Sequence, residues 1–162
     1  LNDDSRESRL AAIQAVGMVG TDAAIDQLVE IIKKSDFQDE RLAATMSLGF
    51  ISDDSSVPFL ISLLNDEEPN IRWDAAIGLA KMRSAASVPT ILKLMDREYL
   101  MMFPELDQNE ITSVILTAIE TTSMMSADEF EPNLVALAKS DESLKVRDAA
   151  IKSLKKNYNK VI

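Results

Sequence analysis

Apolar residues recur along the chain at helical spacing, and one arrangement of them appears four times. Each copy opens with arginine, followed three residues later by alanine, six later by a small residue and seven later by an aliphatic one. The opening arginines are Arg9, Arg41, Arg72 and Arg147. These later positions share one helical face, and the small residues let a neighbouring helix approach closely. The pattern predicts amphipathic helices, the A helices, that pack against one another.

A second apolar pattern follows the first and predicts another set of helices, the B helices. Apolar residues stand two, three, five and six positions after the residue that opens each copy, which makes a wide stripe at helical spacing. The opening residues are Asp26, Pro58, Pro89 and Pro132. Proline suits the first turn of a helix, where its missing N–H group would have no helical partner. Each repeat of about 31 to 43 residues is therefore expected to be a helix pair, A then B.

The two patterns, with the turn residues between them, set expected bounds for the helices. The A helices are expected near residues 5–18, 39–51, 70–82, 109–122 and 143–157. The B helices are expected near residues 22–34, 56–65, 87–96 and 130–139. Neither helix of a pair buries its stripe alone, whereas stacked pairs form one continuous core. We expect an all-α solenoid in a single domain, 1–162, with repeats near 4–36, 37–66, 67–96 and 107–140, a final half repeat at 141–160 and an insertion at 97–107.

An arginine-containing helix followed by a Val-Pro-x-Leu helix, as at residues 57–60, resembles HEAT repeats. It resembles in particular the short bacterial HEAT-like repeats of the phycobilisome-lyase type, and the resemblance covers nearly the whole chain. It implies a right-handed α-α superhelix, HEAT-like or armadillo-like, with about four and a half helix-pair repeats. The resemblance is specific for architecture and weak for function, because such folds carry many unrelated roles.

Aspartates precede the repeat arginines at a nearly constant distance. In the HEAT family such pairs form a ladder between neighbouring repeats, and the resemblance implies the same here. An arginine fork can bind a carboxylate through two hydrogen bonds and can also reach a helix-end carbonyl. We interpret these residues as structural rather than as a ligand site. The pairs are Asp3/Arg9, Asp36/Arg41, Asp66/Arg72 and Asp141/Arg147.

The fourth repeat departs from the pattern. Thr112 replaces the arginine, Ile115 replaces the alanine, and the preceding loop is longer by about eight residues. Insertions in solenoids usually form a loop on one face. This one is unusually apolar, with Tyr99, Leu100, Met101, Met102, Phe103 and Leu106. Two interpretations stay open: it folds back as a short helix over its own groove, or it forms an adaptable surface that binds a partner.

The outward positions of the B helices form a second candidate surface, because the resemblance implies that B helices line the concave side. Phe59 is an aromatic residue at such a position, and it is either an interface anchor or a lone exposed aromatic. We hypothesise a binding surface from these positions and the insertion. Its residues are Phe59, Thr90, Lys93, Tyr99, Met101, Met102 and Phe103.

The amino-acid composition mainly excludes classes of partner and of chemical site. The 27 acidic and 17 basic residues give a net charge of −10, which repels nucleic acids and anionic membrane surfaces and favours a basic or neutral protein partner. Histidine and cysteine are absent, so that histidine-based nucleophiles, imidazole zinc sites and thiolate sites cannot form from these residues. We expect no cofactor, no metal, no nucleic-acid partner and no direct membrane insertion.

The sequence therefore predicts a non-catalytic scaffold that binds a protein or peptide through its concave B-helix face and the 97–107 insertion. The alternative is an accessory helical module of a larger enzyme, such as a lyase-type or chromophore-handling protein, with catalysis upstream. Leu1-Asn2-Asp3 aligns, through the repeat arginines, with Leu64-Asn65-Asp66. We accordingly expect the chain to be a fragment of a longer protein, with at least one more repeat before Leu1.

Overall fold

The structure, a computed structural model, describes residues 5–125 and 127–161, and these residues form helices and no strands. None of the helices in this described part is long and apolar enough to cross a membrane. The α-helices are α1 (Arg6–Val19), α2 (Asp22–Lys34), α3 (Gln38–Ile51), α4 (Val57–Leu63), α5 (Pro69–Lys81), α6 (Val88–Leu94), α7 (Arg97–Leu100), α8 (Gln108–Thr122), α9 (Phe130–Ser140) and α10 (Leu144–Tyr158). The expected all-α helical-repeat class is confirmed.

The expected helix pairs are present in chain order. The A helices are α1, α3, α5, α8 and α10, the B helices are α2, α4, α6 and α9, and their bounds lie within about two residues of the expected ones. Short 3-10 helices, Asp54–Ser56 and Ala85–Ser87, precede α4 and α6. Each of these two B helices has proline in its first turn. The additional helix, α7, lies in the insertion.

Local chemistry explains where several helices begin and end. Gly20 ends α1 with φ +64°, a left-handed conformation that glycine adopts without steric cost. Thr21 then caps α2 by accepting a hydrogen bond from the Ala24 N–H group. Asp107 and Glu110 form a capping box at the start of α8. These caps satisfy backbone groups that have no partner within the helix.

The chain divides into two compact units between Ser84 and Ala85. In the first unit, α3 packs between α1 and α5, while α2 lies against α1 and α3 and α4 lies against α5. The core of this unit is aliphatic, and its fully buried side chains include Ile13, Leu28, Leu48, Leu60, Ile71 and Leu79. The expectation of a single domain over residues 1–162 stays a prediction.

In the second unit, α6 packs against α7 and α8, and α10 packs against α8 and α9. Its fully buried side chains include Leu94, Leu100, Ile111, Ile115 and Phe130. Leu100 belongs to the insertion, so α7 is anchored in the core by one leucine. The core therefore determines the position of residues 97–100.

The A helices of the first unit approach one another through small residues. A Cβ atom built on Gly17 would lie 2.5 Å from the Cβ atom of Ser47. A Cβ atom on Gly49 would lie 2.9 Å from the Cα atom of Gly78, and one on Gly78 would lie 2.8 Å from the Cα atom of Gly49. Optimal contacts between carbon atoms are about 3.5 to 4.0 Å long, so α3 and α5 meet backbone to backbone.

Candidate functional site

The repeat arginines Arg9 and Arg41 bind carboxylates further along the chain. Arg41 donates from Nη2 to Oδ2 of Asp66 at 2.6 Å and from Nε to the Ile32 carbonyl at 3.1 Å. Arg9 donates from Nε to Oε1 of Glu40 at 2.5 Å. The hydrogen bond from Arg9 lowers the pKa of Glu40 against the opposing effect of burial. Sequence reasoning missed Glu40, although it directly precedes Arg41.

The other aspartates and arginines of the expected ladder are placed differently. Arg41 binds Asp66 rather than Asp36, which is exposed. Arg72 donates from Nη1 to the carbonyl of Asp66 at 2.7 Å. The Nε atom of Arg147 is buried and has no hydrogen-bond partner among residues 5–125 and 127–161. Asp3 lies outside the described residues, and the ladder as a whole stays a prediction.

Arg97 supplies an arginine to the repeat that lacks one. It donates from Nη2 to Oδ1 of Asp141 at 2.9 Å and from Nε to Oδ2 at 3.1 Å. Its Nη2 atom also lies 3.5 Å from the hydroxyl of Thr112, the residue at the expected arginine position. The Arg97 and Asp141 side chains are 13% and 3% exposed. The sequence signal that could have identified this pair is the arginine in the insertion, because the following repeat has Thr112 at its arginine position.

The insertion packs part of its apolar surface and exposes the rest. The rings of Tyr99 and Phe103, both half-buried, meet edge to face with centroids 5.2 Å apart. Lys93 places its Nζ atom 5.9 Å from the centroid of Tyr99. Met101 and Met102, in contrast, are 58% and 75% exposed. Partner binding by these residues stays a prediction.

A cavity of about 460 Å³ lies beside Met101, between the end of α6, α7 and α9. Asn133 and Ala136, both outward positions of a B helix, contribute to its lining. The lining also holds one arginine and four carboxylates, which are Arg97, Asp96, Glu98, Asp141 and Glu142. We call the cavity together with Met101 and Met102 the lip. It is an acidic cavity with an apolar edge.

The two remaining residues of the hypothesised surface are less exposed than expected. Phe59 is half-buried, and the Nζ atom of Lys33 lies 5.2 Å from its ring centroid. A cation over an aromatic face is attracted to the ring. Thr90 is also half-buried. Phe59 belongs to the first unit and Thr90 to the second, and partner binding by these two residues stays a prediction.

The first unit contains another candidate site, which sequence reasoning missed. It is a groove of about 430 Å³ along α1, α3 and α5, here called the A-helix groove. Glycines and a serine form its floor, while Met18, Met46 and Phe50 are 80%, 56% and 65% exposed. The residues lining it are Gln14, Gly17, Met18, Ala43, Met46, Ser47, Gly49, Phe50, Asp74, Ile77, Gly78 and Lys81. The sequence signal that could have identified the groove is a set of apolar residues at outward A-helix positions, five or nine residues after a repeat arginine: Met18, Met46, Phe50 and Ile77.

Asp74 is a carboxylate in the A-helix groove. Burial raises its pKa to about 6, and the nearby charge of Lys81 opposes this effect. The Nζ atom of Lys81 lies 5.9 Å from the ring centroid of Phe50. A carboxylate with a raised pKa in a cleft is a common feature of functional sites and a weak indicator by itself.

Replacing Asp74 with asparagine is expected to stabilise the protein by about 1 to 2 kcal/mol at pH 8. The folded-state pKa of about 6 exceeds the ordinary value of 3.8. Between these values the folded chain binds more protons than the unfolded chain, so the stability of the unsubstituted protein falls as pH rises. Urea denaturation of both proteins at pH 3.5, 5 and 8 measures the difference, which should vanish at the lowest pH.

Asp26→Asn is the matched control for this substitution, because Asp26 is an exposed aspartate of α2. Its effect is expected to stay within about 0.5 kcal/mol at each pH. A stabilisation by Asp74→Asn that is the same at pH 3.5 and pH 8 would show that ionisation of Asp74 is not its cause.

Comparison with protein families produced two matches. A family model described as HEAT repeats matches residues 25–100. A second, described as PBS lyase HEAT-like repeat, matches residues 8–34. Together they span residues 8–100, more than half of the 162 residues. No curated protein matches the chain.

Proposed function

Because the chain belongs to the HEAT-repeat family, we propose that it is a non-catalytic scaffold that binds a protein or peptide partner through the lip. HEAT repeats are generally protein-interaction scaffolds, and the family is typically non-catalytic. The observation that carries the proposal is the exposure of Met101 and Met102 beside the acidic cavity. Methionine adapts its shape to different partners, which suits it to such a surface.

The charges of the lip favour a basic partner. Arg97 is bound by Asp141, which leaves Asp96, Glu98 and Glu142 in excess within the cavity lining. Glu142 is 64% exposed and lies 3.1 Å from Arg97. Complementary charge steers a partner towards a site and selects against wrong partners. The favoured partner is therefore a segment that combines apolar side chains with lysine or arginine.

Lip binding is tested with a displayed library of random peptides, selected on the purified chain. Selected peptides are expected to combine leucine, isoleucine or phenylalanine with basic residues, and to bind more weakly as salt concentration rises. The double substitution Met101→Ser and Met102→Ser should weaken their binding at least about tenfold, because it removes the apolar edge. Fluorescence anisotropy with labelled peptides measures the change.

Leu144→Ser is the matched control, since Leu144 is a 73% exposed apolar residue of α10 outside the lip lining. It should leave peptide binding unchanged. The melting temperature should also be unchanged in both variants, because the replaced side chains are mostly exposed. Selection of acidic peptides, or equal binding by the methionine variant and the unsubstituted chain, would contradict the proposal.

A further inference from the structure

We propose that the A-helix groove of the first unit binds an amphipathic helical segment of a partner protein, whose apolar side chains fill the groove and whose basic residue pairs with Asp74. This is a second interaction surface, formed by α1, α3 and α5, and none of its residues belongs to the lip. It therefore stands independently of the function proposed above.

The shape of the groove suits bulky apolar side chains. Its floor is low because Gly17, Gly49 and Gly78 carry no side chain, and their helices are in close contact there. Beside this low floor, Met46 and Phe50 extend from α3 into solvent. Contiguous exposed apolar surface of this kind marks interaction sites in soluble proteins. Helices commonly bind by laying an apolar face into such a groove.

The charges of the groove indicate which partner it accepts. Asp74 and Lys81, both on α5, are the charged residues in its lining, and α1 and α3 contribute none. Among the described residues, the Asp74 carboxylate accepts no hydrogen bond, and the charge that acts on it is that of Lys81 on the same helix. Lys81 is exposed and lies over the ring of Phe50. A cation placed by a partner would bond to a carboxylate that burial has partly deprived of water, where charge-assisted hydrogen bonds are strong.

The overall charge distinguishes this partner from a second copy of the chain. The net charge of −10 opposes self-association. A segment that carries lysine or arginine is attracted by the same charge. The occupant we infer is therefore a different protein, with a basic residue on the apolar face of its helix.

The test uses a displayed library of helix-forming peptides, selected on the chain that carries Met101→Ser and Met102→Ser. Because these substitutions disable the lip, the selected peptides must bind elsewhere on the chain. The failure of one proposal can then be distinguished from the failure of the other. The selected peptides are expected to combine leucine, methionine or phenylalanine with one lysine or arginine. They should bind the unsubstituted chain and the lip variant equally well in isothermal titration calorimetry.

Two substitutions in the groove are expected to weaken this binding at least about tenfold. Phe50→Ser removes an exposed aromatic side chain from the groove lining, and Asp74→Asn removes the charge that the peptide recognises. Exchanging the basic residue of the peptide for glutamine should weaken binding to the unsubstituted chain and have no further effect on the Asp74→Asn chain. Leu144→Ser is again the control and should bind normally. Thermal melts check that each variant is folded.

Binding should also depend on pH in a way that Asp74→Asn abolishes. Ionisation of Asp74 with a pKa of about 6 is expected to tighten binding between pH 5 and pH 7.5. Lys81 is the other charged residue of the groove lining and belongs to the same helix as Asp74. Helix α4, which packs against α5, contains no charged residue.

Three results would overturn the proposal. The first is a failure to select any peptide whose binding Phe50→Ser weakens. The second is selection of peptides that need no basic residue and bind the Asp74→Asn chain normally. The third is a dimer of the unsubstituted chain in analytical ultracentrifugation that Phe50→Ser converts to a monomer, because a second copy would then occupy the groove.

Discussion

Replacing Arg97 with methionine is expected to lower the free energy of unfolding by about 3 kcal/mol. Methionine replaces the aliphatic stem of arginine but not its guanidinium, and so leaves the carboxylate of Asp141, 3% exposed, without its cation. A buried charge that loses its partner destabilises a protein far more than the intact pair stabilises it. Urea denaturation followed by circular dichroism measures the loss. We expect the urea concentration at the unfolding midpoint to fall, while the slope of the free energy of unfolding against urea concentration stays the same.

The chain offers a matched comparison for this prediction. Lys152 and Asp148 form an ion pair of 2.6 Å on the surface of α10, with side chains 75% and 62% exposed. Lys152→Met is expected to change stability by less than about 0.5 kcal/mol, because water and salt screen exposed pairs. Adding Asp141→Asn to Arg97→Met should restore most of the stability. If Arg97→Met and Lys152→Met change the free energy of unfolding equally, the buried pair of Arg97 and Asp141 does not hold α7 in place within the second unit.

Replacing Gly78 with valine is expected to destabilise the protein by about 2 to 3 kcal/mol, because the new side chain overpacks the contact between α3 and α5. Its Cβ atom would begin 2.8 Å from the Cα atom of Gly49, and backbone cannot rotate away as a side chain would. The helices must therefore separate. Leu60, whose Cδ1 atom lies 3.6 Å from the same Cβ position, limits the space further.

Asn70→Val is the control for the Gly78 substitution, because Asn70 is an exposed residue of the same helix. It reports the modest effect of a β-branched residue in a helix without any overpacking. Gly49→Ala and Gly78→Ala should also be less damaging together than the sum of their single effects, since one separation of α3 and α5 accommodates both. Additive effects, or a neutral Gly78→Val, would show that these helices are not in tight contact.

Helix positions were predictable because their causes are local. The repeat arginines and the small residues after them determine where the A helices run, and prolines such as Pro58 and Pro89 mark the first turns of B helices. Repetition also strengthens the prediction, since four copies of the pattern indicate the same pair of helices. The presence of α7 was one of two open alternatives, because apolar residues alone do not show whether a loop packs down.

Ion-pair partners were less predictable, because they depend on which side chains the fold brings together. A spacing of five residues suggested that Asp36 would accompany Arg41, yet Arg41 binds Asp66, 25 residues later. Likewise Asp141 binds Arg97, 44 residues earlier, rather than the arginine that follows it. Sequence spacing describes positions along one helix and its loop. Partners from neighbouring repeats require the packed structure.

By itself the sequence determined the helical class, the order of the helix pairs and the family, because each depends on periodic patterns that are readable along the chain. Only the tertiary structure decided which apolar residues remain exposed, and so where binding is favoured. Met46 and Leu48 lie two residues apart on α3, yet the first is 56% exposed and the second is fully buried. Exposure depends on which neighbouring helices cover a face of the helix. In the same way, the effect of Gly78 on packing depends on Gly49, which lies opposite it on α3.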